Sequence, residues 1–239
     1  MSGEDPGGRR GHGRPGIFVT VEGGEGAGKS TQIGLLADHL RLRTQRAVIT
    51  TREPGGSPKA EAIREALLAG IAKPYGPFAE ALLFSAARID HLDTLIGPAL
   101  ERGDIVLCDR FTDSTRAYQG AAGGLDPGLL HSLERVVVGS LAPDLTLILD
   151  LDPELGLKRA AERAGEGAVP DRFEAEALGF HRRLRQAFAE IAAAEPGRCA
   201  LIDASRDADE VEAVIWETVS ERLPQLFSGD RTGRRDDAA

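Results

Sequence analysis

The chain has 239 residues, of which 41% are hydrophobic and 28% charged, a composition typical of a globular protein with room for one large domain or two small ones. Its 38 acidic and 29 basic side chains give a net charge of −9, which argues against a broad surface for binding nucleic acid. No apolar run approaches the roughly 20 residues that cross a bilayer, and residues 1–16 contain no apolar secretion signal, so we expect a cytoplasmic protein without a membrane partner.

The two ends of the chain differ in composition from the rest. Residues 1–15 and 228–239 are rich in glycine, arginine and aspartate and contain few apolar residues, which predicts two disordered tails. No repeat or linker interrupts residues 16–227, so we expect a single domain there. Two cysteines, Cys108 and Cys199, are too few for a disulfide framework or a cysteine-based zinc site.

Five short apolar runs alternate with longer segments of helical spacing, and this alternation predicts an α/β fold with a parallel sheet covered on both faces. In chain order, the predicted strands are IFVTV from Ile17, AVITT from Ala47, IVLC from Ile105, LTLILDL from Leu145 and CALID from Cys199. The longest predicted helix runs from about Phe78 to Arg102, and Pro98 is expected to kink or shorten its last turns.

The first predicted strand is followed by GGEGAGKS and then by a helical segment, which matches the phosphate-binding loop G-x-x-x-x-G-K-S/T in its usual strand-to-helix context. Glycines allow the backbone to wrap a phosphate, and the helix N-terminus favours an anion. We therefore predict phosphate binding by Gly23, Gly24, Glu25, Gly26, Ala27, Gly28, Lys29, Ser30 and Thr31.

The same pattern predicts a magnesium site. The Ser30 hydroxyl is expected to be one ligand, and Asp109, at the end of the third predicted strand, is expected to hold Mg²⁺ directly or through water. A carboxylate that merely ends a strand is the alternative for Asp109.

Three arginine-bearing segments follow. TREPGGS contains Arg52 and DRFTDSTRAYQG contains Arg110, and each lies at the carboxyl end of a strand, where open α/β sheets bind ligands. On the long helix, Phe84 and Arg88 are four residues apart and share a face. They could hold a base and its phosphate, or Phe84 could be a core residue and Arg88 an ion-paired one.

Taken together, GGEGAGKS, TREPGG, LLFSAAR, DRFTDSTRAYQG and DLTLILDLDPELGLKRA followed by DRFE resemble bacterial thymidylate kinase, in the order of that family and over about residues 16–220. The resemblance implies a three-layer P-loop kinase fold with a five-stranded parallel sheet and a mobile lid at about 159–172. It also implies Mg-ATP as phosphate donor, dTMP as acceptor and a homodimer.

The resemblance also implies roles for individual residues. Phe84 would stack on thymine, Arg88 would approach the base or phosphate, and Arg110 would hold the acceptor phosphate. Tyr118 would fill the space that a ribose 2′-hydroxyl needs. The remaining acceptor-side residues would be Glu25, Ser114, Gln119, Asp171 and Glu174.

Some members of the family carry a catalytic arginine in the phosphate loop and others carry it in the lid. The loop of this chain has none, so the lid must supply it, from Arg159, Arg163 or Arg172. We favour Arg163. In the alternative, Arg159 and Arg163 only form surface ion pairs with neighbouring glutamates.

The expected reaction needs no general base, because a phosphate oxygen of the acceptor is already ionised near neutral pH. His39, His91, His131 and His181 are accordingly expected to be surface groups. Catalysis would depend on Lys29, Arg110, Arg52 and a lid arginine. Two other functions stay open at this point, a kinase for another small acceptor and a nucleotide-dependent switch that controls a protein partner.

Overall fold

The computed structural model describes residues 15–164 and 173–227. The predicted tails, except Pro15 in the first, lie outside the described residues. So does the part of the predicted lid from 165 to 172, which includes Asp171 and Arg172.

All five predicted strands are present and form one parallel sheet. They are β1 (Ile17–Gly23), β2 (Val48–Arg52), β3 (Ile105–Asp109), β4 (Leu145–Asp150) and β5 (Cys199–Asp203). The order across the sheet is β2-β3-β1-β4-β5, which places β1 at the centre. Since β1 is buried on both faces, its apolar run is nearly continuous, as expected of a central parallel strand.

The helices cover both faces of the sheet. Their bounds are α1 (Lys29–Arg43), α2 (Pro58–Leu68), α3 (Gly76–His91), α4 (Gly97–Glu101), α5 (Thr112–Thr115), α6 (Pro127–Val138), α7 (Pro153–Ala164), α8 (Leu178–Ala194) and α9 (Ala208–Arg222). Short 3₁₀ turns lie at Lys73–Tyr75 and Pro224–Leu226, and π-helical segments at Leu92–Ile96 and Arg116–Ala122.

Alternate residues of β1 pack against different helices. Val19 and Val21 belong to a core shared with α1 and α9, whereas Phe18 packs on the opposite face with Phe111 and the segment around α4. A third cluster joins β4 to α8 and Tyr118. The three layers of the predicted fold are therefore confirmed.

The long predicted helix is interrupted before Pro98, as expected, although the interruption takes a particular form. The α-helix ends at His91, and a π-helical turn precedes α4, with the Gly97 N–H bonded to the Leu92 carbonyl. Pro98 has no N–H, and its ring would collide with a carbonyl of a regular preceding turn. Proline and π-helical turns are both recognised causes of a helix kink.

The sheet brings three strand ends to one edge. Val21 of β1 and Arg52 of β2 are both paired with Asp109 of β3. The residues that follow these three strands therefore lie close together at this edge of the sheet. They include most of the residues predicted to bind the phosphates, the metal and the acceptor. None of the helices in the described part of the chain is long and apolar enough to cross a membrane.

Candidate active site

The phosphate loop connects β1 to the first turn of α1. Gly23, Gly26 and Gly28 have positive φ angles, so the loop uses backbone conformations that side-chain-bearing residues rarely adopt. Lys29 is buried, and its Nζ donates to the carbonyls of Gly23 (3.1 Å) and Gly24 (2.8 Å). Burial, together with the charge of Arg110, lowers the pKa of Lys29 to about 8.

Ser30 and Asp109 lie in contact beside this loop. The Ser30 hydroxyl donates to Asp109 Oδ2 at 2.9 Å. The other carboxylate oxygen, Oδ1, is buried and has no hydrogen-bond partner among the described residues. Because a buried carboxylate oxygen without a partner is costly, the pair fits a site that is completed by a cation.

Arg110 joins the loop to the acceptor side. Its backbone has φ 67°, the only left-handed non-glycine conformation within the described ranges. Its Nη2 donates to Glu25 Oε1 at 2.7 Å, Tyr118 donates its hydroxyl to the same oxygen at 2.6 Å, and Nη1 reaches the Gly23 carbonyl at 3.0 Å. Burial alone would raise the pKa of Glu25, but the charges of Arg110 and Lys29 outweigh it and lower the pKa to about 2.

A cavity of about 340 Å³ extends from the phosphate loop to α3. Its lining contains almost the whole predicted set, namely Glu25, Gly26, Ala27, Gly28, Lys29, Ser30, Thr31, Arg52, Phe84, Arg88, Asp109, Arg110, Ser114, Tyr118, Gln119, Arg163 and Glu174. Gly23 and Gly24 do not line it. They contribute the carbonyls that hold Lys29.

For Arg88 the ion-paired alternative is confirmed, whereas binding of a base or phosphate by Phe84 and Arg88 stays a prediction. Phe84 is half-buried and faces the cavity, 6.5 Å from the ring of Phe173. Arg88 also lines the cavity, yet it is ion-paired with Glu53 at 2.7 Å. Gln119 is buried and donates to Glu80.

Arg52 also lines the cavity. It pairs with Glu61 at 3.0 Å, and about half of its side chain is exposed. The same carboxylate accepts the Gly56 N–H, which fastens the TREPGGS loop to α2. Arg52 is thus held near the cavity without being buried.

Arg159 and Arg163, the two described arginines of the predicted lid, lie on α7 and differ in their contacts. Arg163 lines the cavity, whereas Arg159 donates to the carbonyls of Ala204 and Ser205, after β5. Near the start of α7 the backbone of Gly156 packs against the Glu25 carbonyl, so closely that a Cβ at Gly156 or at Gly26 would overlap backbone atoms. The start of α7 therefore packs directly on the phosphate loop.

Sequence reasoning missed Glu22, the penultimate residue of β1. Its carboxylate is fully buried and accepts hydrogen bonds from the Phe111 N–H (2.7 Å) and the Ser114 hydroxyl (2.6 Å). Burial and the neighbouring Asp113 raise its pKa to about 7. An acidic residue inside an apolar central strand was the available signal.

The expectation that the helical histidines are surface groups is wrong for His91 and His181, which are both buried. His91 lies between Thr51 and Glu53, with both ring nitrogens within hydrogen-bond distance of them. Helical spacing alone does not reveal such partners, because they come from β2 and the loop after it. Glu53 was missed for the same reason.

Comparison with known proteins supports the resemblance. The family model for thymidylate kinase matches residues 21–215. Thymidylate kinase of Rhodopseudomonas palustris strain TIE-1 is 61% identical over 212 residues, which cover 87% of this chain and 90% of that protein. The Bradyrhizobium diazoefficiens thymidylate kinase is 57% identical over 208 residues, with the same coverage.

A solved structure agrees with both. The crystal structure of thymidylate kinase from Ehrlichia chaffeensis matches with a TM-score of 0.69 and 32% sequence identity, over 85% of this chain and 98% of that one. The five-stranded parallel sheet, the phosphate loop at its centre and these likenesses along most of the sequence have one explanation, which is that the chain belongs to the thymidylate kinase family.

Proposed function

We propose that this thymidylate kinase holds ATP and dTMP in the single cavity between the phosphate loop and α3 and transfers the γ-phosphate of ATP to the 5′-phosphate of dTMP. The observation that carries the proposal is the position of Arg110. Its side chain lies between the loop that would hold the donor and the wall formed by Phe84, Arg88 and Tyr118.

Phosphoryl transfer of this kind requires alignment and charge neutralisation more than acid–base chemistry. The acceptor oxygen is already ionised, so the residues need only hold it in line with the γ-phosphate. We assign Lys29 to the donor phosphates and Arg110 to the acceptor phosphate, with Arg52 as a further phosphate contact. Lys29 is buried and Arg110 is mostly buried, which strengthens their interaction with charge.

We assign Ser30 and Asp109 to Mg²⁺, which supplies charge neutralisation and orientation of the donor phosphates when it is bound. The Asp109 oxygen without a partner supports this assignment. Within the described residues there is no group of three or more His, Cys, Asp or Glu that could hold a metal. A site of two protein ligands fits Mg²⁺, which usually retains water and phosphate oxygens.

We propose that Arg163 is the lid arginine that contacts the phosphate during its transfer. It lines the cavity, whereas Arg159 is committed to two backbone carbonyls near the end of β5, where the adenine would lie by resemblance. Arg163→Ala should lower kcat about a thousandfold, as the loss of an arginine finger does. Arg159→Ala should chiefly raise the KM for ATP.

On the acceptor side, Phe84 would stack on the thymine, with Arg88 and Gln119 at its edge. Tyr118 would exclude a 2′-hydroxyl, since its ring is fixed by Glu25 through the hydroxyl and by Phe173 through edge-on packing at 5.3 Å. Ser114 and Glu174 complete this wall. Asp171, which lies outside the described residues, is proposed as a further acceptor-side residue.

We also propose a homodimer, formed by α3 and α6. Phe78, Leu82 and Ile89 share one face of α3 and are each more than 40% exposed, and Val136 on the neighbouring α6 is 80% exposed. Side chains of this kind, exposed on adjacent helices, are typical of an interface. The partner would be a second copy of this chain.

The remaining proposals concern the chain as a whole. We propose a single domain over residues 16–227 with a lid at about 159–172. We place the enzyme in the cytoplasm, in keeping with the buried free thiols of Cys108 and Cys199.

The direct test is release of ADP from Mg-ATP by the purified protein, with dTMP, dUMP, UMP and dCMP offered separately. We expect turnover with dTMP, weaker turnover with dUMP and very little with UMP. Turnover that does not depend on dTMP would refute the proposal, and equal use of UMP and dUMP would refute the role of Tyr118. Arg110→Lys, which keeps the charge but loses the forked geometry, should raise the KM for dTMP more than that for ATP.

A further inference from the structure

A chain of buried hydrogen bonds leads away from the acceptor wall at Arg88. Only 3% of Arg88 is exposed. Its Nε donates to Glu53 Oε2 at 2.7 Å, its Nη2 donates to Thr115 Oγ1 at 3.1 Å, and its Cζ lies 5.0 Å from the centre of the Phe111 ring. Two of the three guanidinium nitrogens thus have hydrogen-bond partners inside the protein, and Arg88 lines the cavity.

The Glu53 carboxylate is shared between Arg88 and His91. Its Oε1 lies 3.2 Å from His91 Nδ1, and both side chains are almost fully buried. A carboxylate only accepts hydrogen bonds, so Nδ1 carries a proton. His91 Nε2 then accepts the hydroxyl proton of Thr51, at 2.8 Å, when the ring is neutral.

The loop after β2 packs against the His91 ring and Thr51. Gly56 has φ +83°, and a Cβ there would overlap His91 Nε2 and Thr51 Oγ1. The backbone N–H of Glu53 also bonds to the Asp109 carbonyl at 2.9 Å, next to Arg110. His91 is therefore enclosed by the loop and by β2, and its ring cannot turn without breaking both hydrogen bonds.

We propose that His91 is a positioning residue for the acceptor nucleotide. It acts by holding the Glu53 carboxylate in the orientation that keeps Arg88 extended along the cavity wall. The proposal rests on the proposed function, because it gives Arg88 a ligand in the acceptor half of the cavity. His91 itself does not line that cavity, and its effect passes through the two buried charges.

Two substitutions of His91 each keep one of the two hydrogen bonds of the ring and remove the other. The amide nitrogen of asparagine can take the place of Nδ1, so His91→Asn keeps a donor to Glu53 and loses the contact with Thr51. The longer glutamine places its amide near Nε2, so His91→Gln keeps the contact with Thr51 and loses the donor to Glu53. Thr51→Val removes the same contact as His91→Asn without touching the ring.

The measurement is the steady-state KM for each substrate, together with dTMP binding by calorimetry in the absence of ATP. His91→Gln should raise the KM and the dissociation constant for dTMP about tenfold, as expected when a buried carboxylate loses a donor. The KM for ATP and kcat should change less than twofold, because the interaction is made before the transition state. His91→Asn and Thr51→Val should stay within about threefold of the unsubstituted enzyme for dTMP.

Several results would overturn the proposal. Equal changes in the asparagine and glutamine variants would show that Glu53 is not the route of the effect, and equal changes in both KM values would indicate general damage to the fold. Should His91→Gln fail to fold, His91→Asn still decides, because a rise above fivefold in its KM for dTMP contradicts the argument. If the unsubstituted enzyme does not use dTMP, the proposed function fails instead.

Discussion

The contact between α7 and the phosphate loop predicts the outcome of Gly156→Ala. The new methyl group would overlap the Glu25 carbonyl oxygen, so α7 or the loop must shift by about 1 Å to restore ordinary contact. Overpacking of this kind costs about 1–3 kcal/mol, of which the higher helix propensity of alanine offsets up to about 1 kcal/mol. A shift of that size beside the reacting groups can lower kcat about 10- to 100-fold.

The assay is ADP release at saturating ATP and dTMP, with urea unfolding measured on the same preparations. Gly34→Ala is the matched control, since Gly34 lies in α1 and is exposed, and a Cβ there would meet nothing within 4 Å apart from its own stretch of helix. It should gain up to about 1 kcal/mol of stability and keep its kcat. A Gly156→Ala enzyme with kcat within twofold of the original would refute the idea that this contact sets the geometry of transfer.

Four further predictions follow from the geometry. Phe84→Ala should raise the KM for dTMP about 10- to 100-fold by removing a stacking surface, with little change in Tm because the ring is only half-buried; an unchanged KM would contradict the stacking role. Asp109→Asn should raise the Mg²⁺ concentration for half-maximal activity at least about tenfold, measured by titration against an unchanged ATP level. Leu82→Glu should convert a dimer to a monomer in analytical ultracentrifugation, whereas a variant that still dimerises would place the interface elsewhere. Folding raises the pKa of Glu22 from 4.5 to about 7. Between pH 4.5 and pH 7 its carboxyl group is therefore protonated in the folded state and ionised in the unfolded state. The unfolding free energy should therefore fall as the pH rises through that window, by up to about 3 kcal/mol from this group, and Glu22→Gln should lack this decline in urea titrations.

Sequence alone predicted the parts of this molecule that depend on local patterns. The five strands followed from apolar runs, and the phosphate loop followed from glycine spacing and its position between β1 and α1. The interruption near Pro98 was also predictable, since proline lacks an N–H wherever it lies. Its form, a π-helical turn that ends at Ile96 immediately before α4 begins, depends on how the helix packs.

The buried polar residues were not predictable, because their partners are distant in the sequence. Glu53 and Arg88 are 35 positions apart, and a glutamate in a polar loop such as TREPGGS is usually solvated. The same holds for His91, which follows a helical pattern and was expected on the surface. The fold of the sheet brings these groups together, so the partner of each residue can be identified only from the three-dimensional structure.

The pairing of Arg110 with Glu25 has a consequence for the choice of substrate. The guanidinium already holds a carboxylate at 2.7 Å, so any anion that takes its place must compete with an internal one. A phosphate monoester carries nearly two charges at neutral pH and offers three oxygens, and it can therefore win this competition. Thymidine, with no charge at its 5′ end, gains nothing from the exchange. If Arg110 binds the acceptor phosphate as proposed, this competition favours a phosphate monoester over an uncharged nucleoside.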